Sequence, residues 1–198
     1  MCDRRACKFR VSSILTIITV IVTATAGCVA ERSSYNYWYD YRLVTPSNLT
    51  SNQYEDDILK IDFYPEPKRI VYNLENRHSM PIKIDYSRSV IIDTRQRRLE
   101  ATDGLLYFKE EGVKKDYLII EPNQKIVSFI VPTQNISKLG EWTWSIEPMF
   151  DLKSSAAIKN KGSLFGVELF ITSDGAERNY IFEFEVREVV PIKQRLRY

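Results

Sequence analysis

A sandwich of antiparallel β-sheets is the fold that the sequence predicts from residue 58 to about residue 190, with a small barrel as the alternative. Three observations predict it. Apolar and polar residues alternate with a period of two in short runs, turn residues punctuate those runs, and one long hairpin stands out near the end. A chain of 198 residues fits one domain.

The runs come in order. In ILKIDFY (58–64), Leu59, Ile61 and Phe63 share a face before Pro65 and Pro67 break the strand. RIVYNLEN (69–76) sets Ile70, Tyr72 and Leu74 on one side. After the turn Asn76–Pro81 come IKIDY (82–86) and SVIID (89–93), read as two strands, then the polar TRQRR. LLYF after Gly104 reads as another short extended piece, followed by YLII (117–120) and KIVSFIVP (125–132). TQNISKLG (133–140) and SSAAIKNKG (154–162) interrupt the pattern as short helical turns, each with a Ser or Thr start and a Gly stop. SLFGVELFIT and NYIFEFEV then flank SDGAER, whose Asp174-Gly175 is a tight-hairpin signal. One buried and one wet face is the mark of an antiparallel sheet.

The first thirty residues follow different rules. MCDRRACKFR is basic, and Val11 to Ala30 carries no charge, the pattern of an export signal. Thr25-Ala26-Gly27-Cys28 resembles a bacterial lipoprotein lipobox, with Thr25 where an aliphatic residue is commoner. The resemblance implies that residues 1–27 are a signal peptide and that Cys28 becomes the lipidated N-terminus, anchored through acyl chains such as palmitate. Val29 is not the Asp that retains enteric lipoproteins in the inner membrane, so a Gram-negative source implies the outer membrane. The alternative is a signal-anchored interaction protein in which 11–30 stays as a transmembrane helix: twenty residues reach about 30 Å.

Cleavage before Cys28 removes Cys2 and Cys7 and leaves the exported domain without a thiol for catalysis, disulfides or metal binding. It also changes the charge. Of the 28 basic and 26 acidic side chains, 24 and 25 follow position 27, a net of −1. That balance argues against nucleic acid as a partner.

Residues 28–57 are expected to form a lipidated tether. Within it, YNYWYDY (35–41) alternates Tyr35, Tyr37, Tyr39 and Tyr41 with polar residues and Trp38. These rings either form a contact surface near the bilayer or belong to a first strand packed on the domain. A second candidate surface is the basic loop with Arg95, Arg97 and Arg98, and a third the basic tail 191–198.

Catalytic patterns are missing from the sequence. The single histidine, His78, sits in a turn and is expected to be solvated. No nucleophile elbow or phosphate-binding glycine loop occurs. The acid pairs Asp56-Asp57 and Glu110-Glu111 lie on polar stretches, which leaves a carboxylate-dependent glycan hydrolase as a minor alternative. No cofactor and no metal are expected.

The stretches NLENRHSMPIKIDYSRSVIID, IIEPNQKIVSFIVP and FGVELFITSDGAERNYIFEFEV resemble small bacterial lipoproteins with one immunoglobulin-like sandwich, over about residues 58–188. The resemblance implies a membrane-anchored, non-catalytic envelope protein, periplasmic or surface-exposed, whose domain binds an envelope protein or glycan. It implies no particular ligand.

Overall fold

The computed structural model describes residues 36–46, 51–140, 143–152 and 155–192. Cys28, the signal segment 1–27, the alternative helix at 11–30, Tyr35 and the tail from residue 193 lie outside them. No helix among the described residues is long and apolar enough to cross a membrane.

The fold is all-β and antiparallel. Its strands are β1 (Asn36–Thr45), β2 (Gln53–Glu55), β3 (Leu59–Pro65), β4 (Ile70–Asn76), β5 (Ile82–Ile92), β6 (Arg98–Asp103), β7 (Tyr117–Ile120), β8 (Lys125–Pro132), β9 (Ile136–Lys138), β10 (Trp144–Ile146), β11 (Leu164–Ser173) and β12 (Ala176–Ile192). Ten of them form one sheet in the order β1-β12-β11-β5-β6-β8-β4-β3-β2, with β7 also paired to β5. The β9–β10 hairpin stands apart.

The path folds over at β6. Residues 98–100 pair with β5, whereas Ala101–Asp103 pair with β8. The two ends of the path then meet through Asn52. Its Oδ1 accepts from Leu43 N at 2.7 Å, its Nδ2 donates to Tyr41 O, and its own carbonyl accepts from Phe63 N at 2.7 Å. The sheet therefore nearly closes on itself, like a barrel.

Period-two alternation produces the enclosed core. Leu59, Ile61, Phe63, Ile70, Tyr72 and Leu74 from one half face Ile82, Ile84, Phe165, Val167, Phe182 and Phe184 from the other, all buried. Phe63 lies 4.6 Å from Phe182 between ring centroids. Each such side chain contributes on the order of 1.5–3 kcal/mol when fully removed from water.

One polar cluster is sealed inside this core. The Asp103 carboxylate, 1% exposed, accepts hydrogen bonds from the hydroxyls of Tyr72 (3.0 Å), Tyr86 (3.1 Å) and Ser128 (2.7 Å), and its second oxygen from Leu106 N (2.9 Å). A buried charge persists only when its lone pairs are satisfied in this way. Asp103 thereby links β4, β5, β6 and β8.

Several sequence expectations change. LLYF is helical, within α1 (Gly104–Lys109), because Asp103 caps its first turn and Lys109 suits its last. IKIDY and SVIID form one strand, β5, with an irregular register opposite Glu168–Phe170. There Ser89, buried, donates to Asp85 O at 2.6 Å and accepts from Phe170 N, bridging the break in the ladder. TQNISKLG turns as a 3-10 helix only over Thr133–Asn135 and then enters β9, while Ser155–Asn160 is a 3-10 helix. β1 and β2 join the sheet within the stretch read as a tether, and β12 continues past residue 190 to Ile192.

The 164–192 hairpin is tight. Ser173 pairs with Ala176, and Asp174 (φ 48°) and Gly175 (φ 72°) both have positive φ, as a two-residue turn matched to strand twist requires.

Candidate functional site

The basic loop between β5 and β6 is held from within by Asp93. This carboxylate, 2% exposed, accepts from Arg95 N and Arg97 N at 2.9 Å each and from Arg97 Nε at 2.7 Å. Arg97 is thereby neutralised and fixed. Arg95 makes no ion pair among the described residues. Arg98, the residue after Arg97, turns elsewhere and pairs with Glu168 on β11.

Arg95 and Arg97 line a cleft of about 820 Å³. Three other pieces of chain complete it. The β3–β4 turn supplies Lys68, the segment 145–152 supplies Glu147, Met149, Phe150 and Asp151, and the 3-10 helix at Ser155–Asn160 supplies Lys159 and Asn160. Met149 N donates to Pro67 O at 2.8 Å, which pins the middle piece to the turn. Lys68 and Lys159, like Arg95, have no carboxylate partner among the described residues. Four cations therefore share the cleft with two carboxylates, and three of those cations keep their charge available for a ligand.

The tyrosine-rich segment supports the cleft from beneath. Tyr39 is 5% exposed, its ring 4.9 Å from Phe150, and its hydroxyl donates to Asp151 O at 2.6 Å. Asn160 Nδ2 reaches both oxygens. Burial pushes the Tyr39 pKa up, so the hydroxyl stays a donor. Tyr41 stacks on Tyr39 and meets Phe165 edge-on, but its buried hydroxyl has no hydrogen-bond partner among the described residues. Tyr37 is half-buried against the core. Trp38 alone of the described rings in this segment points outward, 51% exposed. The strand alternative thus describes Tyr37, Tyr39 and Tyr41, and among the described rings the contact-surface alternative is left with Trp38.

The acids and the histidine occupy the far end of β11. Asp56 accepts from Tyr180 (2.8 Å) and Tyr54 (3.2 Å) hydroxyls and from Ile58 and Leu59 amides. Arg178 clamps Asp57 through both oxygens at 2.8 and 3.0 Å. Both carboxylates are committed to holding the hairpin against the loop before β3. His78 is half-buried rather than solvated: its Nδ1 lies 2.9 Å from Ser173 Oγ and accepts from Met80 N at 3.3 Å. Ser173 is 4% exposed, so its hydroxyl cannot meet a substrate without moving the strand. Glu110 pairs with Lys115 at 3.7 Å. Among the described residues no group of three or more His, Cys, Asp or Glu side chains is placed to hold a metal.

Sequence reasoning singled out Arg95 and Arg97 but missed Lys68, Lys159 and the apolar floor. These lie 27 and 64 positions from Arg95, and no local pattern marks them. No protein-family model matches this chain, and no curated protein matches it.

Proposed function

We propose that this chain is a non-catalytic envelope lipoprotein, held in a membrane by lipid on Cys28, whose β domain binds an acidic envelope protein or glycan. The observation that carries the binding half is the convergence of Lys68, Arg95 and Lys159, none of them ion-paired among the described residues, on one cleft with an aromatic floor. A mixed apolar and polar concavity is the usual form of a ligand site, and a local excess of cations attracts and orients carboxylates or phosphates. The anchoring half rests on Thr25-Ala26-Gly27-Cys28 after an uncharged run. The finer fold reading, an immunoglobulin-like sandwich, is supported by the change of partner halfway along β6, which divides the path into two facing halves.

A photo-crosslinking amino acid at Thr94, in the cleft, tests the binding reading in cells. The expected result is a discrete envelope adduct, reduced at least several-fold when Lys68, Arg95 and Lys159 are all changed to Ala. The same probe at Asp174, at the opposite end of β11, should give none. Equal adducts at both positions contradict the reading, and release of soluble glycan fragments by the purified protein would favour the hydrolase instead.

Thr25 favours a second reading, in which poor processing leaves 11–30 in the bilayer as a signal anchor.

A further inference from the structure

β12 is longer than its partner β11. The last β11–β12 pair is Leu164 with Glu185, and Val186 closes the ladder by exchanging hydrogen bonds with Gly162 and Ser163. Beyond that point β12 pairs with β1 alone, through Tyr39–Val189, Trp38–Val190, Tyr37–Pro191 and Asn36–Ile192. A two-stranded ribbon therefore extends past the rest of the sheet.

Its two faces differ. Tyr37, Tyr39 and Val189 pack inward against the core. The outward face carries Trp38 (51% exposed) directly opposite Val190 (44%), with Ile192 (48%) two residues nearer the tip. Asp40 and Glu188 stand opposite each other on this same face, two residues further from the tip, or about 7 Å. Arg187 lies 3.7 Å from the Asp40 carboxylate. Trp38, Val190 and Ile192 thus form an exposed apolar group near the tip, where the last pair is Asn36 with Ile192, and the charged pair Asp40 and Glu188 stands behind it.

The chain leaves the fold at this same end in both directions. Asn36 is eight positions from Cys28, a reach of at most about 29 Å. On the other strand, Ile192 is followed by KQRLRY, with Lys193, Arg195 and Arg197. We propose that the ribbon tip rests in the headgroup region of an anionic bilayer, with Trp38, Val190 and Ile192 as the contact. Trp suits that depth because its ring is apolar and its N–H polar, and basic residues such as those that follow Ile192 in the sequence are drawn to anionic lipid. The inference rests on the anchored reading.

The test uses the full chain reconstituted in phosphatidylglycerol-containing vesicles whose lipids are brominated near the headgroup. The three tryptophans are Trp38, Trp142 and Trp144, so the double variant Trp142→Phe, Trp144→Phe reports on Trp38 alone. Its emission should shift to shorter wavelength and be quenched by the brominated lipid. Trp38→Phe should abolish the quenchable fraction of the unaltered chain's signal. Val190→Glu, at an exposed position, should return Trp38 to an unquenched, water-like spectrum while the chain still floats with the vesicles. A floating chain with Trp38 unquenched overturns the contact alone. A chain that fails to float contradicts the anchor, and the contact with it.

Discussion

At the residue scale, burial sets the behaviour of two tyrosine groups in opposite ways. The Tyr41 hydroxyl is buried and has no hydrogen-bond partner among the described residues, and a donor left without a bond on folding loses its water for nothing. Tyr41→Phe should therefore stabilise the domain by about 1 kcal/mol, read as a higher urea midpoint with unchanged slope. Asp103→Asn should do the reverse. Three hydroxyls and an amide point at this carboxylate, and an amide side chain would turn a donor toward donors. A loss of about 2–4 kcal/mol is expected, since hydrogen bonds to a buried charge are among the stronger ones. Midpoint shifts smaller than experimental scatter would show that the cluster contributes little.

The same tyrosines fix a pH dependence. Burial raises the pKa of Tyr41, Tyr72, Tyr86 and Tyr180 above the ordinary 10.0. The folded state then keeps its phenol protons at a pH where the unfolded chain has released them. The associated stability is complete below pH 10 and falls as pH rises beyond it, by about 1.4 kcal/mol per pH unit for each such group. Denaturation between pH 8 and 11.5 should show this decline, and Tyr41→Phe should make it shallower.

At the element scale, two glycines fix the longest hairpin. A Cβ on Gly166 would sit 2.3 Å from the Phe182 carbonyl oxygen, so Gly166→Ala must part β11 from β12 and should cost about 1–3 kcal/mol. Gly175 needs only its positive φ, with nothing within 4 Å of its missing Cβ, so Gly175→Ala should cost about 1 kcal/mol. Thermal denaturation of the two variants should rank them in that order.

Elements with this kind of local signal were legible in the sequence. Leu59-Ile61-Phe63, Ile70-Tyr72-Leu74 and the Asp174-Gly175 turn announce their faces by alternation alone. LLYF misled because four apolar residues have no period, and the deciding group, the Asp103 cap, also serves a core cluster assembled from distant strands. The Ser87–Ser89 interruption in β5 looked like a turn because a bulge and a turn use the same polar residues. Half of the cleft was legible as a basic loop. Its other cations were not, since Lys68 and Lys159 become neighbours of Arg95 only when β3, β4 and the Ser155–Asn160 helix are in place.

At the scale of the whole molecule, one end of the sheet gathers the cleft floor supported by Tyr39 and the outward Trp38 ribbon, where β1 begins at Asn36. Binding in the cleft should weaken steeply with salt, because exposed charges are screened over about 8 Å at physiological ionic strength. Crosslinking from Thr94 at low and high salt should show that dependence, and a salt-insensitive adduct would point to the apolar floor instead.

Membrane anchoring through Cys28 is the claim from which the rest gains its setting. The most direct measurement is the intact mass of the N-terminal peptide from membrane-extracted protein, for the unaltered chain and for Cys28→Ala. The account predicts a mature chain that begins at an acylated Cys28, with acylation and cleavage both lost in the variant. A peptide that still begins at Met1, identical in processing between the two, would contradict it and make residues 11–30 the anchor.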